Sequence, residues 1–258
     1  MRTEILGVKI DTLTFAAVVK TVISRVKKGE KFWIATPNPE IVVLAKEDRA
    51  FGRILNLSDL AIPDGIGLVW AGRLLAKKGE ERPKERVSGV DLMEKLCQEA
   101  ALNNWRVFFL GGRGRVAKRA LCKMQKKYPG LCGKAESGPE MEIRDGELEI
   151  KGRELGKNKK TIKTINAFRP EFLFVGFGMG KQERWVLKYF DILNTRGIMV
   201  VGGAFDFLSG KIKRAPRWLQ KIGFEWLWRL VLEPWRFRRQ LKLLKFIWWV
   251  LGRKYGRG

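Results

Sequence analysis

Apolar positions along the chain fall into two rhythms. Phe15, Val19, Val22, Ile23 and Val26 recur three and four apart, the spacing that lines one face of a helix, with Asp11 or Thr12 placed to cap it. The second rhythm is the short unbroken run: Phe32 to Ala35, Leu60 to Ile62, Arg106 to Leu110, Glu171 to Val175 and Gly197 to Val201. Helical patterns lie between these runs. One starts at Pro39, which suits a first helical turn; others cover Ile66 to Leu74, Val90 to Ala100, a basic stretch ending at Tyr128, and Trp185 to Leu193. Continuous apolar strands alternating with helices predict an α/β fold whose parallel sheet is covered on both faces. Lys77 to Lys84 and Gly133 to Asn158 interrupt the pattern. Both are polar and rich in Gly, Pro or charge, and read as mobile loops or small excursions.

In such a sheet, ligands bind outside the carboxyl ends of the strands. The turn residues collect at that edge: Thr36-Pro-Asn-Pro, Pro63-Asp-Gly, Gly111-Gly, Gly176-Phe-Gly and Gly202-Gly. Small residues there let backbone N–H groups approach an anion such as a phosphate. Each turn alone is weak evidence, since turns need glycine in any case. None is a Walker A motif, and Gly176-Phe-Gly-Met-Gly lacks the GxGxxG spacing.

Charge changes the picture at one end. The 258 residues carry a formal net charge of +25, and from Lys211 onward fourteen Lys/Arg face only Glu225 and Glu233. Six of the ten tryptophans fall in the same tail. Three readings are open for it: a membrane surface, a nucleic acid, or a solvated helical face; Trp beside Lys/Arg favours the membrane surface. Residues 1–210 therefore read as a core and 211–258 as a basic helical appendage. From Phe237, apolar residues recur at Leu241, Leu244, Trp248 and Leu251, one helical stripe with Arg236, Arg239, Lys242 and Lys245 away from it. The longest uncharged run there, Phe246 to Leu251, is far short of the roughly 20 residues that span a bilayer. The N-terminus lacks the apolar segment of a signal peptide. Histidine is absent, which excludes Ser-His-Asp and Cys-His catalysis, and three scattered cysteines argue against a disulfide framework or a zinc site and fit a reducing cytosol.

Taken together, several segments resemble one family. They are Ala35-Thr-Pro-Asn-Pro-Glu40, Ile62-Pro-Asp-Gly-Ile-Gly67, Glu85-Arg-Val-Ser-Gly89 with Asp91-Leu-Met93, Val107 to Gly112, Val175 to Trp185, Gly202-Gly-Ala-Phe-Asp206, and Arg214 to Trp218 through Glu225-Trp to Arg229. The family is the WecG/TagA/CpsF glycosyltransferases, and the resemblance runs from about residue 7 to about 239. It implies a Rossmann-like enzyme that moves a sugar, of the N-acetylmannosamine type in the teichoic-acid branch, from a UDP-sugar to a polyprenyl-diphosphate-linked GlcNAc. Relatives with uronic acid or hexose donors keep the donor open. The implied reaction inverts the anomeric centre, uses no cofactor and no Asp-x-Asp-bound metal; the sequence contains no such triplet. The implied place is the cytoplasmic face of the membrane, bound peripherally to an anionic surface; nucleic acid is not an expected partner, and self-association stays open.

Direct displacement needs a base for the acceptor hydroxyl. Without histidine it must be a carboxylate, Lys, Tyr or Cys. On the residues alone Asp64, straight after a strand, reads first as a turn Asx; the resemblance reverses that, since Asp64 matches the family's proposed base. The resemblance puts Thr36 and Asn38 beside it, where capping a helix is the alternative. Arg86 is a candidate for phosphate or acceptor contact through its fork of donors, against an ordinary salt bridge. Gln182 and Asp206 are candidates for holding the donor. Arg229, Arg236 and Arg239 match the appendage arginines, which would stabilise the departing diphosphate or simply attract lipid. Two other classes compete: a basic nucleic-acid binder, which leaves the strand-exit glycines unexplained, and a nucleotide-dependent oxidoreductase, which lacks the dinucleotide fingerprint.

Overall fold

The computed structural model describes residues 1–221 and 223–256, with the backbone alone at 221, 236 and 238–240. A hairpin of β1 (Arg2–Ile5) and β2 (Val8–Asp11) opens the chain, followed by α1 (Phe15–Lys27), β3 (Phe32–Ala35), α2 (Pro39–Glu47), α3 (Arg49–Asn56), β4 (Leu60–Ala61), α4 (Ile66–Leu75) and α5 (Gly89–Leu102). The middle of the chain forms β5 (Arg106–Gly111), α6 (Val116–Lys127), β6 (Cys132–Glu136), a second hairpin of β7 (Glu142–Arg144) and β8 (Glu147–Glu149), and α7 (Gly152–Phe168). Then come β9 (Phe172–Gly176), α8 (Lys181–Tyr189), β10 (Gly197–Val200), α9 (Ala204–Leu208), α10 (Arg217–Lys221), α11 (Glu225–Leu232), a short 3-10 turn at Pro234–Arg236, and α12 (Phe237–Lys254).

Six strands form one parallel sheet in the order β4-β3-β10-β9-β5-β6. Apart from the edge strand β6, its strands are buried on both faces because successive side chains enter opposite cores. Phe32, Ile34, Phe109, Phe172 and Phe174 pack with α1, α5, α6 and α9 on one side. Trp33, Phe108, Leu110, Leu173 and Val175 pack on the other, with the first hairpin, α2, α3, α4, α7, α8 and α12. The expected Rossmann-like parallel sheet with helices on both faces is what the chain forms. The exits of β5 and β9 approach so closely that a Cβ on Gly111 would lie 2.4 Å from the Gly176 carbonyl oxygen, and Gly111 also takes φ +115°. Only glycine fits there.

Three local expectations need correction. The cap of α1 is Thr14, whose hydroxyl accepts from the Ala17 N–H, whereas Asp11 ends β2 and accepts from the Ala61 N–H at 2.6 Å. For Gly133 to Asn158 the mobile-loop reading gives way to the excursion: the stretch contains most of β6, the β7–β8 hairpin and the start of α7. The hairpin is tied down by α8, through Arg184 Nε to the Gly146 carbonyl (2.8 Å) and Lys181 Nζ to the Met141 carbonyl (2.6 Å). Finally α8 ends at Tyr189, four residues short of Leu193; it starts at Lys181, just before Gln182 as expected, with Glu183 capping the Gly180 N–H.

The C-terminal segment lies on the core. Helix α12 packs against α2 and α4, with Phe246 and Val250 wholly buried. Its Lys245 meets Glu47 of α2. The stripe of Phe237, Leu241, Leu244, Trp248 and Leu251 is on the other side and exposed, Leu244 at 65% and Trp248 at 68%. Phe246→Ala is expected to cost about 3–5 kcal/mol, the usual loss for a buried aromatic. A urea-denaturation series reads the loss, and tryptic cleavage inside α12 should accelerate in parallel.

Candidate active site

Three neighbouring strand exits are stitched together by hydrogen bonds, two from the backbone and one from a side chain. The Asp64 N–H donates to the Pro37 carbonyl (2.9 Å), joining the β4 exit to the β3 exit. Thr36 Oγ1 donates to the Val200 carbonyl (3.1 Å), joining β3 to β10. The Val87 N–H donates to the Pro63 carbonyl (3.1 Å), which brings Arg86 beside Asp64. A cleft of about 430 Å³ opens over this edge. Asp64, Asn38, Arg86 and Arg229 line its polar end; Trp70, Trp226, Leu243 and Ile247 contribute to an apolar wall. The cleft is thus built from the body and from α11 and α12 together.

Asp64 sits at the floor, surrounded by protein yet open through the cleft, with 28% of its side chain exposed. Burial pushes its carboxyl up to about 6; the Arg86 guanidinium and the Gly89 N–H pull the other way, and Glu225 and Asp91 add to the rise. Near 6 the group is a stronger base than an ordinary aspartate and still ionised at neutral pH. The first turn of α5 can approach because residue 89 is glycine. A Cβ there would lie 3.1 Å from Asp64 Oδ2 and 3.3 Å from Thr36 Cγ2.

Arg86 does not close on Asp64. Its Nη2 stands 3.8 Å from Asp64 Oδ1 and 2.6 Å from Glu225 Oε2 at the start of α11. Nη1 reaches the Gln220 carbonyl at 3.4 Å, and the buried Nε has no acceptor among the described residues. Glu225 also takes Arg214 Nε (3.0 Å), and Arg214 pairs with Asp91 of α5. Burial would raise both acids, but hydrogen bonds from Arg214, joined at Glu225 by Arg86, hold both below the usual carboxylate range. Burial would lower Arg214, yet the same bonds drive it well above its ordinary value. The result is a relay of alternating charge, Asp64–Arg86–Glu225–Arg214–Asp91, that crosses from body to tail and back. Among the described residues no three acidic or cysteine side chains gather in a metal-holding group.

The other sequence candidates divide. Asn38 caps α2 by accepting from the Ile41 N–H (2.9 Å), which leaves its amide nitrogen for a partner in the cleft. Arg229 stacks over Phe207 at 4.9 Å, bonds Glu233 at 2.7 Å and stands 3.7 Å from Asp206. Asp206 also meets Lys211 (3.3 Å), so it neighbours the cleft through Arg229. Thr36 is buried with its proton committed to Val200. Gln182 is 1% exposed: it is neither on a helix surface nor in the cleft, and its amide bridges Glu183 Oε1 (2.9 Å) to the Gly202 N–H (3.2 Å). The side chains of Arg236 and Arg239 lie outside the described residues. Glu225, Arg214 and Asp91 were not among the candidates. The available signal was that Glu225 is one of two acidic residues in a tail with fourteen basic ones.

The profile of the "Glycosyl transferase WecG/TagA/CpsF family" matches residues 3–258. The chain belongs to this family. It is therefore a glycosyltransferase, as the sequence motifs led us to expect. Relatives include the N-acetylglucosaminyldiphosphoundecaprenol N-acetyl-beta-D-mannosaminyltransferase of Bacillus subtilis (strain 168), 32% identical over 218 residues covering 84% of this chain and 78% of that protein. A protein of the same name from Staphylococcus aureus (strain MRSA252) is 29% identical over 244 residues, 93% of this chain and 88% of its own length.

Asp64→Asn should remove at least 99% of transfer while its Tm at pH 7.5 stays at or above the wild-type value, since a raised carboxyl opposes folding once ionised. Below about 4 the group is neutral folded or unfolded, and as pH rises from there through about 6 ionisation costs the folded state more than the unfolded one. Gly89→Ala should lower kcat several-fold with the fold retained, because the new methyl presses on Asp64 and on a Thr36 that is fixed to Val200; initial rates beside a circular-dichroism melt check it.

Proposed function

We propose that the protein transfers an N-acetylmannosamine-type sugar from a UDP-sugar to the GlcNAc of a polyprenyl-diphosphate-linked acceptor, in the synthesis of teichoic acid or a related surface polysaccharide. The observation that carries this reading is one cleft that combines a raised carboxylate, two arginines and an apolar wall. An acceptor with a sugar hydroxyl, a diphosphate and an isoprenoid chain needs those three surfaces together. The names of the relatives supply the sugar and lipid.

In this reading Asp64 takes the proton of the acceptor hydroxyl as its oxygen attacks the donor's anomeric carbon. The bond from that carbon to the UDP oxygen breaks, and its electron pair leaves on the diphosphate. Arg229, with Arg236 and Arg239 further along the tail, stabilises that charge; Arg86 serves the acceptor side, and Asn38 offers its amide to a sugar oxygen. Thr36, Gln182 and Asp206 act behind these groups, fixing the strand exits and Arg229. A positioned base contributes about 10²–10⁴ in rate, and electrostatic stabilisation of a leaving group is of similar size. No metal or cofactor has a step in this scheme.

No helix among the described residues is long and apolar enough to cross a membrane. The exposed stripe of α12 supports peripheral binding instead, lying in the headgroup plane with the tail's basic residues near anionic lipid, each worth about 1 kcal/mol.

A panel of UDP-sugars offered to the purified protein with a short-chain lipid-diphosphate-GlcNAc tests the reaction. UDP-N-acetylmannosamine is expected to give a disaccharide product with inverted linkage, and exclusive use of another donor would replace the sugar named here. kcat/KM should fall tenfold per pH unit below about 6, as Asp64 takes up its proton. Leu244→Ser with Trp248→Ser should weaken co-sedimentation with anionic liposomes at least tenfold, yet change turnover of a water-soluble acceptor by less than twofold. Undiminished sedimentation would remove α12 from the membrane contact.

A further inference from the structure

Among the described residues Arg86 is the nearest cation to the proposed base, yet it is spent on another acid. The guanidinium lies on the Asp64 side of the cleft with its Nη2 at 2.6 Å from Glu225 and 3.8 Å from Asp64. A close Arg–carboxylate fork at Asp64 would neutralise the base and fill the space an acceptor hydroxyl has to reach. What prevents it is a residue from the tail. Glu225 is held from behind by Arg214, at 3.0 Å, and Arg214 is fixed to Asp91 at the start of α5. The second acid therefore cannot simply follow Arg86 toward Asp64.

We propose that Glu225 is a positioning residue of the transfer reaction: by engaging Arg86 it keeps that guanidinium off Asp64, so the base is free only while α11 is docked on the body. The proposal rests on Asp64 being the base. The tail then does more than add arginines to the cleft. Its departure would release Arg86 onto Asp64 and silence the enzyme away from its working position. The groups facing Asp64 all enter this balance. Arg86 pulls its proton affinity down, and Glu225 and Asp91 push it up. Glu40 and Arg229 line the same cleft from α2 and α11, and Arg214 stands behind Glu225.

The test is the pH dependence of kcat/KM in the full-length protein, with a ¹³C titration of the aspartate carboxyls, in which Asp64→Asn identifies the resonance. Glu225→Gln removes the negative charge and lets Arg86 turn to Asp64. The acid limb and the Asp64 titration are both expected to move down by at least half a pH unit, with kcat reduced several-fold at pH 7.5. Arg214→Gln is the control of opposite sign. It removes a positive charge and leaves Asp91 unneutralised, so the limb should stay or move up. A purely structural role for this network predicts that both variants loosen α11 and shift activity in the same direction. The proposal is overturned if Glu225→Gln, folded by circular dichroism and resistant to trypsin in its tail, titrates Asp64 at the wild-type pH, or if both variants move the limb downward. Failure of the base assignment looks different: the wild-type acid limb would persist in Asp64→Asn.

Discussion

Glu225, at the start of α11, joins that helix to the segment that carries Arg86 and Asp64. It accepts from Arg86 on the body and from Arg214 beside it, and Arg214 in turn reaches Asp91. Half-buried ion pairs of this kind contribute little net stability, because desolvation offsets most of the attraction, but losing one member costs about 3–5 kcal/mol. The network is therefore better understood as a device of placement. Apolar burial of Phe246 and Val250 supplies the adhesion of the tail. The charges set where α11 stops, and hence where Arg229 enters the cleft.

The same placement bears on the chemistry of Asp64. A carboxylate in a Pro-Asp-Gly turn at the surface would titrate near 4 and make a weak base. Here the Pro37 carbonyl, the first turn of α5 and the tail enclose it, and burial wins over the pull of Arg86. The opposing pulls are what leave the group both ionised at neutral pH and basic enough to accept a proton. Removing either the enclosure or the nearby acids returns it toward an ordinary aspartate.

How much of this was legible in the sequence depends on what each residue faces. The central strands and α1, α2, α4 and α5 were legible because one side or both sides are buried, and burial writes periodicity into the chain. Strand β6 was not, since as an edge strand it alternates Cys132, Lys134 and Glu136 with small residues and carries almost no apolar signal. Helix α7 was hidden for a similar reason: Ile162 and Ile165 are its buried apolar residues, and polar or charged residues, four lysines among them, make up most of the rest. At the cleft, Asp64, Asn38, Arg86 and Arg229, expected from turn position and from the family resemblance, line one space together. Gln182 was expected at a ligand and instead braces Gly202, a distinction that rests on which way a helix start faces. The charge relay pairs residues 86 and 225, 91 and 214, and no local pattern reports contacts at that distance.

Helix α12 shows what a single helical period hides. One apolar stripe, Phe237 to Leu251, is visible in the sequence and is exposed; a second set, Phe246 and Val250, is buried, and Leu243 and Ile247 turn into the cleft between them. A helix apolar on three sides cannot satisfy all of them against one globular core. Docking the Phe246 side fixes the rotation of the helix, and with it the plane in which Leu244 and Trp248 are presented. The cleft wall and the exposed stripe are then successive faces of one rigid element. On the proposed function this has a geometric consequence: an acceptor held by its chain in the headgroup plane meets the cleft along α12, and the same helix that seats the enzyme on lipid sets the height at which Asp64 can reach a sugar hydroxyl.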